Sequence, residues 1–360
     1  MIFEHTPNFL KVSAIDQWSL VRDNCADLAY KKQRRIAHQI ARLAVCCLYE
    51  ELALYPKPGL VSFVDQGSHA DMDARIFFRS LFSLRHYFKA MAMAGMQARP
   101  FADLKRLGIV AEARMLGATG GVNTHRGAIF ALGILVAAAG YHSATYDDNR
   151  HLSEQQKARA VREKMRLCVL SLWGTDLAQH SIVNPSEENS EQALSHGQCA
   201  TIKFSLSGAR EEAALGFPSV FQLGLPRLER SLSDGRDWYG AQIECLFSLI
   251  EAINDTNLLH RGGKNGAAYA QNAAHEFLKR GGCTAADWVQ HAQEIHAAFV
   301  RRRLSPGGAA DLLAASNFVL RVTQFLVEHE AWDASAQSRQ GRATRFLNAQ
   351  FKNSPVTQKA

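Results

Sequence analysis

A run of apolar residues in the first half of the chain constrains the fold more than any other feature. Residues 128–139 read Ala-Ile-Phe-Ala-Leu-Gly-Ile-Leu-Val-Ala-Ala-Ala, so a helix over this run would be apolar on every side. Such a helix is normally buried in the middle of a large domain. The run is shorter than the roughly 20 residues that a membrane-spanning helix needs. We therefore expect it to form the central helix of the fold.

Apolar residues outside this run recur mostly at helical spacing. Strand-like alternation is scarce, and no two-residue hairpin turn lies between alternating runs. The stripes that indicate core-facing helices include Ile36–Cys47, Phe77–Met91, Ile243–Ile253 and Leu312–Val327. The sequence therefore predicts an all-α fold, organised as a single large helical domain with a central buried helix and Gly-rich loops at helix N-termini.

The two ends of the chain and two internal stretches are more polar than the rest. Polar connectors are expected at 141–155 and 183–197, on either side of a helix over 156–173. The polar C-terminal tail is expected to fray. The predicted organisation is an N-terminal extension over 1–30, an all-helical catalytic domain over 31–330 and the tail over 331–360.

Basic residues outnumber acidic ones, and the formal net charge is +7. Such an excess raises the local concentration of anions such as polyphosphates. The basic cluster at 31–35 opens a predicted helix, and we interpret it as a solvated helix face rather than a nucleic-acid-binding arm. We expect the protein to bind neither nucleic acid nor a membrane.

The seven cysteines have no regular spacing, and Cys46 and Cys47 are adjacent. This pattern suits neither a disulfide framework nor a metal knuckle, and it is typical of reduced thiols in a reducing compartment. Residues 1–10 lack the basic-then-apolar pattern of a signal peptide. We therefore expect a cytoplasmic protein, and the sequence leaves a homodimer open.

Two loops before residue 74 contain candidate ligand-binding residues. In segment 55–60 two prolines stiffen the backbone, and we expect the lysine between them to be held out as a cation. In segment 67–73 the acidic residues could cap the following helix, or they could hold Mg²⁺ together with phosphate oxygens. The candidates in these loops are Lys57, Gly59, His69, Asp71 and Asp73.

Segment 119–127, which directly precedes the apolar run, has the densest set of polar groups. Its glycines allow the backbone to approach a ligand closely, and the free N–H groups of a helix start favour a phosphate. The segment is not a Walker loop, because the Gly-Lys-Ser/Thr ending is missing. Its candidates are Gly120, Gly121, Asn123, Thr124, His125 and Arg126.

Further Gly-rich or charged segments lie at 254–266, 305–312 and 208–218. Two glycines in the first turn of a helix lower its stability, which is easier to understand where something must approach the backbone. Together the segments predict a basic, Gly-lined cleft with several carboxylates that binds nucleotide polyphosphates through Mg²⁺. The candidates are Asp255, Arg261, Gly262, Gly263, Lys264, Ser305, Gly307, Gly308, Asp311, Arg210, Glu212 and, on a short helix before the cleft loop, Glu112.

Taken jointly and in order, these motifs resemble the signature of the triphosphoribosyl-dephospho-CoA synthase family. The resemblance covers roughly residues 36–327 and is specific as a set, although each piece alone is not. The matching motifs are Tyr55-Pro-Lys-Pro-Gly-Leu-Val61, Gly67-Ser-His-Ala-Asp-Met-Asp73, Thr119-Gly-Gly-Val-Asn-Thr-His-Arg-Gly127, Gly208-Ala-Arg210, Gly216-Phe-Pro218, Asp255-Thr-Asn257 and Ser305-Pro-Gly-Gly-Ala-Ala-Asp-Leu-Leu313.

The resemblance implies a helical enzyme that moves the triphosphoribosyl group of ATP to the 2′-hydroxyl of 3′-dephospho-CoA and releases adenine. It implies Mg²⁺, and a product handed to a transferase that modifies the acyl carrier protein of malonate decarboxylase or citrate lyase. Overall likeness favours malonate decarboxylase. The roles expected on this basis are phosphate contacts for Lys57, Arg126, Arg261 and Lys264, Mg²⁺ ligands in Asp71, Asp73 and Asp255, a base in Glu112 or Glu212, and a proton relay in His125 or His69.

Two positions depart from the family pattern. Ser62 stands where an aspartate is usual, although Asp65 follows three residues later, and Arg126 stands where lysine is frequent. Two other functions stay open. One is a metal-dependent N-glycosidase like the ADP-ribosyl hydrolases, which would use water in place of dephospho-CoA. The other is a non-catalytic helical protein that binds a nucleotide without turnover.

Overall fold

The computed structural model describes the backbone of residues 14–145, 151–181 and 208–352, and all regular structure within these ranges is helical. The all-α prediction is therefore confirmed. The helices are α1 Ala14–Ala53, α2 Ala74–Ser83, α3 Arg85–Met96, α4 Phe101–Thr119, α5 Arg126–Ala144, α6 Glu154–Cys168, α7 Gly174–Ser181, α8 Ala209–Ala214, α9 Leu225–Ser233, α10 Trp238–Ala252, α11 Thr256–Lys279, α12 Trp288–Arg301 and α13 Gly307–Lys352.

Short irregular helical turns join some of these helices. A π-helical turn over Val169–Trp173 links α6 to α7, so the helix predicted over 156–173 is found with a change of winding near its end. A second π-helical turn covers Ser219–Gly224, and a 3₁₀ turn covers Gly282–Thr284. The connector predicted at 183–197 lies outside the described residues.

The apolar run forms most of α5, which is the central helix as predicted. Its side chains from Ala128 to Ala139 are almost all buried. It packs against α1, α3, α4, α6 and α13, so helices from both halves of the chain surround it. A helix without a polar face needs such neighbours on every side.

The closest helix crossing in the core is that of α3 and α5. A Cβ atom added at Gly95 would overlap the carbonyl group of Ala137, and one added at Gly140 would overlap the carbonyl group of Ala92. Each helix thus places a glycine against the backbone of the other. This reciprocal contact brings the backbones of the two helices close together.

The backbone is helical across both predicted domain boundaries, so neither 30/31 nor 330/331 coincides with a helix end. The basic cluster at 31–35 lies inside α1 rather than at its start, and the backbone of residues 331–352 continues α13. The buried core of the described part begins at Ile36 and ends at Leu326. The division into extension, catalytic domain and tail stays a prediction.

The Gly-rich segment at 254–266 was expected to be a loop, and this expectation is wrong. Residues from Thr256 onward form α11, which changes direction at Gly263 with φ 61° and ψ −165°. A Cβ atom added at the neighbouring Gly262 would come within 2.5 Å of Cδ2 of Leu304, so Leu304 packs closely against this glycine. The side chain of Asp255 caps the start of α11, which favours a helix at this point of the chain.

By length and composition, two described helices could cross a membrane: Arg126–Ala144 and Gly307–His329, each with 72% of its most apolar window buried in the protein. Residues 128–139 alone are too short to span a membrane, but α5 extends beyond them at both ends. Buried core helices meet the same criterion, so the finding is weak evidence for a membrane. Cys46, Cys47, Cys168, Cys245 and Cys283 are free thiols, as predicted.

Candidate active site

One cavity of about 1850 Å³ opens between the helices, and it is lined by residues from all the main predicted segments. Segments 69–72, 120–127 and 305–311 meet in its wall, although more than 230 residues separate the first from the last. Pockets that hold a drug-sized ligand measure roughly 300–1,000 Å³, so this cavity has room for two nucleotide-sized molecules.

The N-termini of α5, α11 and α13 converge at the cavity, and carboxylates of the protein cap all three. Asp311, in the first turns of α13, accepts a hydrogen bond from the backbone N–H of Ala128 at the start of α5. A Cβ atom at Gly127 would overlap the Asp311 carboxylate, so only glycine permits this approach. The positive end of the α5 dipole therefore faces an aspartate.

Asp255 caps two helices at once. Its Oδ1 accepts the N–H groups of Asn257 at 2.8 Å and Leu258 at 3.3 Å in α11, and its Oδ2 accepts that of Ala309 at 2.9 Å in α13. An added Cβ at Gly308 would come within 3.0 Å of the same carboxylate. The two glycines at the start of α13 thus make room for side chains of α11 and its cap. Protein carboxylates, rather than ligand phosphates, occupy these helix starts.

Three carboxylates that line the cavity interact with one another, and we call Glu51, Asp255 and Asp311 the acidic floor. Burial raises the pKa of Asp311 well above its ordinary value, and the charges of Glu51 and Asp255 raise it further. Burial also raises the pKa of Asp255, against the backbone hydrogen bonds that it accepts. Glu51 was missed from the sequence because it lies inside the long helix α1, away from any glycine-rich motif.

Lys57 was expected to project as a phosphate-binding cation, and the structure buries it instead. The side chain is 1% exposed, and Nζ lies 2.6 Å from Oε1 of Glu51 and 2.5 Å from its carbonyl oxygen. Burial lowers the Lys57 pKa, and the Glu51 charge opposes this shift. Lys57 does not line the cavity, so it neutralises part of the negative charge of the acidic floor from outside the cavity wall.

His69 and Arg261, both predicted, lie side by side at the cavity wall. Nη2 of Arg261 lies 3.0 Å from Nδ1 of His69, and Nε2 of His69 lies 2.9 Å from Oγ of Ser305. Because arginine can only donate, the ring proton is on Nε2 and is donated to Ser305. Burial and the Arg261 charge lower the His69 pKa to about 4, so this histidine is neutral near pH 7.

His125 ends the glycine loop and is 3% exposed. Its Nδ1 lies 2.6 Å from Oγ of Ser80, which in turn accepts a hydrogen bond of 2.7 Å from Oγ1 of Thr124. Burial and the charge of Lys57 lower the His125 pKa to about 3. Nε2 has no hydrogen-bond partner among the described residues. A histidine held neutral in this way cannot relay a proton by titrating near pH 7.

Four Lys and Arg side chains, half-buried or exposed, line the cavity, and we call Lys105, Arg126, Arg210 and Arg261 the cationic rim. Arg126 forms an ion pair with Glu112, which joins two predicted residues across the cavity wall. Burial lowers the pKa of Arg210 and of Arg261. Lys105 was not predicted, because a lone lysine on α4 carries no motif in the sequence.

The predicted Mg²⁺ ligands Asp71, Asp73 and Asp255 do not assemble into one site. Asp73 caps α2 by accepting the N–H of Ile76 at 2.9 Å and does not line the cavity. Asp71 lines it with a side chain that is 63% exposed. Within the described ranges no group of three or more His, Cys, Asp or Glu side chains is arranged to hold a metal ion.

The remaining predicted residues divide into two groups. Glu212 lines the cavity, and its two oxygens accept Ser219 N at 2.6 Å and Ser219 Oγ at 3.1 Å, while burial raises its pKa. Asn123 caps α5 through the N–H of Arg126. The other predicted residues in the cavity wall are Gly120, Gly121, Thr124, Gly307 and Gly308, and those outside it are Gly59, Gly262, Gly263 and Lys264.

Ser62 and Asp65 hold the loop that follows Lys57. Oγ of Ser62 accepts the N–H of Val64 at 3.1 Å, and the side chain is 2% exposed. Oδ2 of Asp65 lies 3.1 Å from Nε2 of His296, whose Nδ1 lies 2.5 Å from the carbonyl oxygen of Lys57. Asp65 therefore anchors this loop to α12, and the serine closes its turn.

The site is polarised by burial. The carboxylates of the acidic floor are buried or half-buried, whereas the side chains of the cationic rim are half-buried or exposed, as are the remaining carboxylates Asp71, Glu112, Glu211 and Glu212. The cationic rim favours the phosphates of a polyanionic ligand, whereas the acidic floor favours a group that becomes positive. Fold and site together define an all-helical protein with a large cavity for phosphate-bearing ligands.

Comparison with known proteins is consistent with this class. The chain belongs to the CitG family, ATP:dephospho-CoA triphosphoribosyl transferase, whose model matches residues 37–329. No solved structure matches the chain. The resemblance described for residues 36–327 is thereby confirmed.

Named relatives cover most of the chain. A probable 2-(5''-triphosphoribosyl)-3'-dephosphocoenzyme-A synthase of Acinetobacter calcoaceticus is 36% identical over 294 residues, which cover 82% of this chain and 92% of the relative. A protein with the same probable name in Pseudomonas fluorescens is 37% identical, over 80% of this chain and 92% of its own. The 2-(5''-triphosphoribosyl)-3'-dephosphocoenzyme-A synthase of Klebsiella pneumoniae is 35% identical, over 79% and 94%.

Proposed function

We propose that this protein transfers the triphosphoribosyl group of ATP to the 2′-hydroxyl of 3′-dephospho-CoA and releases adenine. The product is then 2'-(5''-triphosphoribosyl)-3'-dephospho-CoA. Family membership and the names of the relatives support the activity. The structural observation that supports it best is the polarised cavity, because the transferred group carries a triphosphate at one end and a ribose that becomes cationic at the other.

Breaking the bond between ribose and adenine passes through an oxocarbenium-like transition state, by analogy with glycoside chemistry. Carboxylates of the acidic floor would stabilise that positive charge electrostatically. Arg126, Arg210 and Arg261 of the cationic rim would hold the triphosphate and the phosphates of dephospho-CoA. Holding both substrates in one cavity can lower the barrier by as much as about 7–11 kcal/mol.

Mg²⁺ is expected from the family resemblance, but the three aspartates predicted to bind it are not brought together. Asp73 and Asp255 use carboxylate oxygens to cap helices. Magnesium bound to nucleotide phosphates needs only one or two protein carboxylates. The Mg²⁺ requirement is therefore part of the proposal. Loss of activity after addition of a chelator to the assay would support it.

The product is a precursor for the prosthetic group of an acyl carrier protein, and the next enzyme would be a transferase that attaches it. We keep malonate decarboxylase as the proposed destination and citrate lyase as the alternative. Nothing in the cavity discriminates between them, because both would receive the same nucleotide. Growth on malonate or citrate after deletion of the gene tests this choice.

The direct test is chromatography after incubation of the purified protein with ATP, Mg²⁺ and 3′-dephospho-CoA. Adenine and a ribosylated dephospho-CoA should appear in equal amounts, and neither should form without dephospho-CoA. Adenine or ribose release without dephospho-CoA would favour the N-glycosidase alternative. Binding of ATP without any turnover would favour the non-catalytic alternative.

A further inference from the structure

We infer that Asp311 is the base that accepts the proton of the incoming 2′-hydroxyl, an inference that rests on the proposed function. Several carboxylates in the cavity wall could act as this base. The sequence favours two of them, Glu112 and Glu212. The side-chain carboxylates in the cavity wall are Glu51, Asp71, Glu112, Glu211, Glu212, Asp255 and Asp311.

Three of the competitors already use their oxygens in bonds that a proton would break. Glu51 is paired with the buried Lys57. Asp255 accepts backbone N–H groups of two helices, with both oxygens engaged. Glu212 accepts the N–H and the hydroxyl of Ser219, one on each oxygen. Protonation of any of these groups would cost the hydrogen bonds that hold the cavity together.

The other three competitors are poor bases for a different reason. Glu112 forms an ion pair with Arg126, so its carboxylate already has a charged partner. The side chain of Asp71 is 63% exposed, and Glu211 lies on the exposed side of α8. Carboxylates that are exposed to water, or paired with an arginine, do not offer a fixed and free oxygen to a substrate in the cavity.

Asp311 differs from all of them in geometry. It accepts one backbone hydrogen bond, from Ala128, and it remains partly accessible in the cavity wall. It lies against the Cα atom of Gly127, so the glycine loop and the first turn of α5 fix its position. The groups that charge its surroundings are Glu51 from α1 and Asp255 from the start of α11.

This environment also increases the basicity of Asp311. Burial and the two neighbouring carboxylates raise its pKa well above the ordinary aspartate value. A general base works best when its pKa lies near the working pH. Nearby His125 is neutral, and Lys57 is paired with Glu51, so neither cation-forming group cancels this effect.

The reaction then balances without a further reagent. Asp311 removes the proton of the 2′-hydroxyl while the oxygen of that hydroxyl forms a bond to C1 of the ribose of ATP. The bond between C1 and N9 breaks, and its electron pair leaves with adenine. The leaving adenine gains one proton and Asp311 has taken one from the hydroxyl. Proton exchange through water at the open entrance therefore balances the reaction and restores Asp311.

Asp311→Asn tests the inference, because asparagine keeps a carbonyl oxygen that can accept the Ala128 N–H while it removes the base. We expect kcat to fall by about 10²–10⁴-fold and the KM for ATP to stay within about threefold. Glu163→Gln is the matched control, since Glu163 pairs with Arg166 on α6, outside the cavity wall, and this change should leave kcat unaltered.

The pH profile of the wild-type enzyme gives a second measurement that needs no variant. A base must be deprotonated, so kcat should fall as pH falls through the raised pKa of Asp311, at a pH above the ordinary aspartate value of about 3.9. Any residual activity of Asp311→Asn should lack this limb, whereas a purely structural defect would preserve it.

The outcomes separate the inference from the proposed function. If the wild-type protein releases no adenine with both substrates, the proposed function itself fails. If the wild-type protein is active and Asp311→Asn keeps kcat within about threefold, the inference alone is wrong. If the variant does not fold, an acid limb at or below about pH 4 in the wild-type profile overturns the assignment.

Discussion

At the scale of single residues, burial changed the role of side chains that the sequence had identified by type. Lys57 lies between two prolines, a context that predicts a fixed cation, and its Nζ indeed has one fixed partner. That partner is Glu51 rather than a substrate phosphate, because the loop turns the side chain inward against α1. His69 and His125 likewise line the cavity as predicted, but burial makes them neutral hydrogen-bonding groups.

Replacement of Lys57 by methionine should therefore reduce stability rather than only substrate affinity. It leaves the charge of Glu51 without its partner in a buried position, and breaking such a pair typically costs about 3–5 kcal/mol. The free energy of unfolding from urea titration at pH 7 measures this loss. Lys31→Met is the control, because Lys31 pairs with Asp27 on an exposed face, where a pair contributes at most about 1 kcal/mol.

A different result would restore the original interpretation of Lys57. If Lys57→Met unfolds at the same urea concentration as the wild type but has a greatly raised KM for ATP, the lysine contacts phosphate in the working enzyme. The buried pair with Glu51 would then be a resting arrangement that substrate replaces.

At the scale of the helices, the site depends on how helix ends are positioned by contacts elsewhere. The start of α5 meets Asp311, and nearer its C-terminus the same helix crosses α3 closely at Gly140 and Ala137, a contact that we expect to help position it. The starts of α11 and α13 meet because one aspartate, Asp255, caps both. The acidic floor is thus a product of helix packing.

Gly95→Ala should destabilise the protein, because the added Cβ would overlap the backbone of Ala137 and force α3 away from α5. Overpacking of this kind typically costs about 1–3 kcal/mol. Gly117→Ala on α4 is the matched control, since no atom lies within 4 Å of its added Cβ. That change should stabilise the protein by up to about 1 kcal/mol through helix propensity.

Urea or thermal unfolding of the two variants, side by side, measures this difference. Equal and small effects of both substitutions would mean that the α3–α5 crossing relaxes without cost. The close contact would then not be what positions the start of α5.

At the scale of the whole molecule, the fold separates charge within one cavity. The carboxylates of the acidic floor come from α1, the start of α11 and α13, whereas the cationic rim comes from α4, α5, α8 and α11. Helices α4 and α8 also supply the carboxylates Glu112, Glu211 and Glu212. The sequence gives a net charge of +7, but only the structure shows which charged side chains of the cavity are buried and which are exposed. This division is what suits the cavity to a ligand with phosphates at one end.

Removal of residues 331–360 should leave activity within about twofold of the full chain. The buried core of the described residues ends at Leu326, and the match to the family model ends at 329. The measurement is kcat and thermal unfolding of the shortened protein beside the full chain. A large drop in unfolding temperature would show instead that the tail belongs to the catalytic domain, because α13 continues beyond this point.

Local sequence was sufficient to predict the helical class, the central helix and the segments that meet at the cavity. Helical periodicity depends on neighbours three and four residues apart, and an apolar run has to be buried whatever surrounds it. Motifs such as 119–127 and 305–313 likewise carry their glycines and polar groups in one continuous stretch. The family could be inferred for the same reason.

The tertiary structure alone decided what each charged group does. Glu51 has no motif around it, and Asp311 was expected to touch substrate rather than to lie against the start of another helix. Ionisation and free hydrogen-bonding capacity depend on neighbours that are distant in sequence, such as Lys57 for Glu51 and Ala128 for Asp311. Residue type fixes which chemistry a side chain can perform, whereas burial and partners, which only the folded chain brings together, determine whether it can perform it.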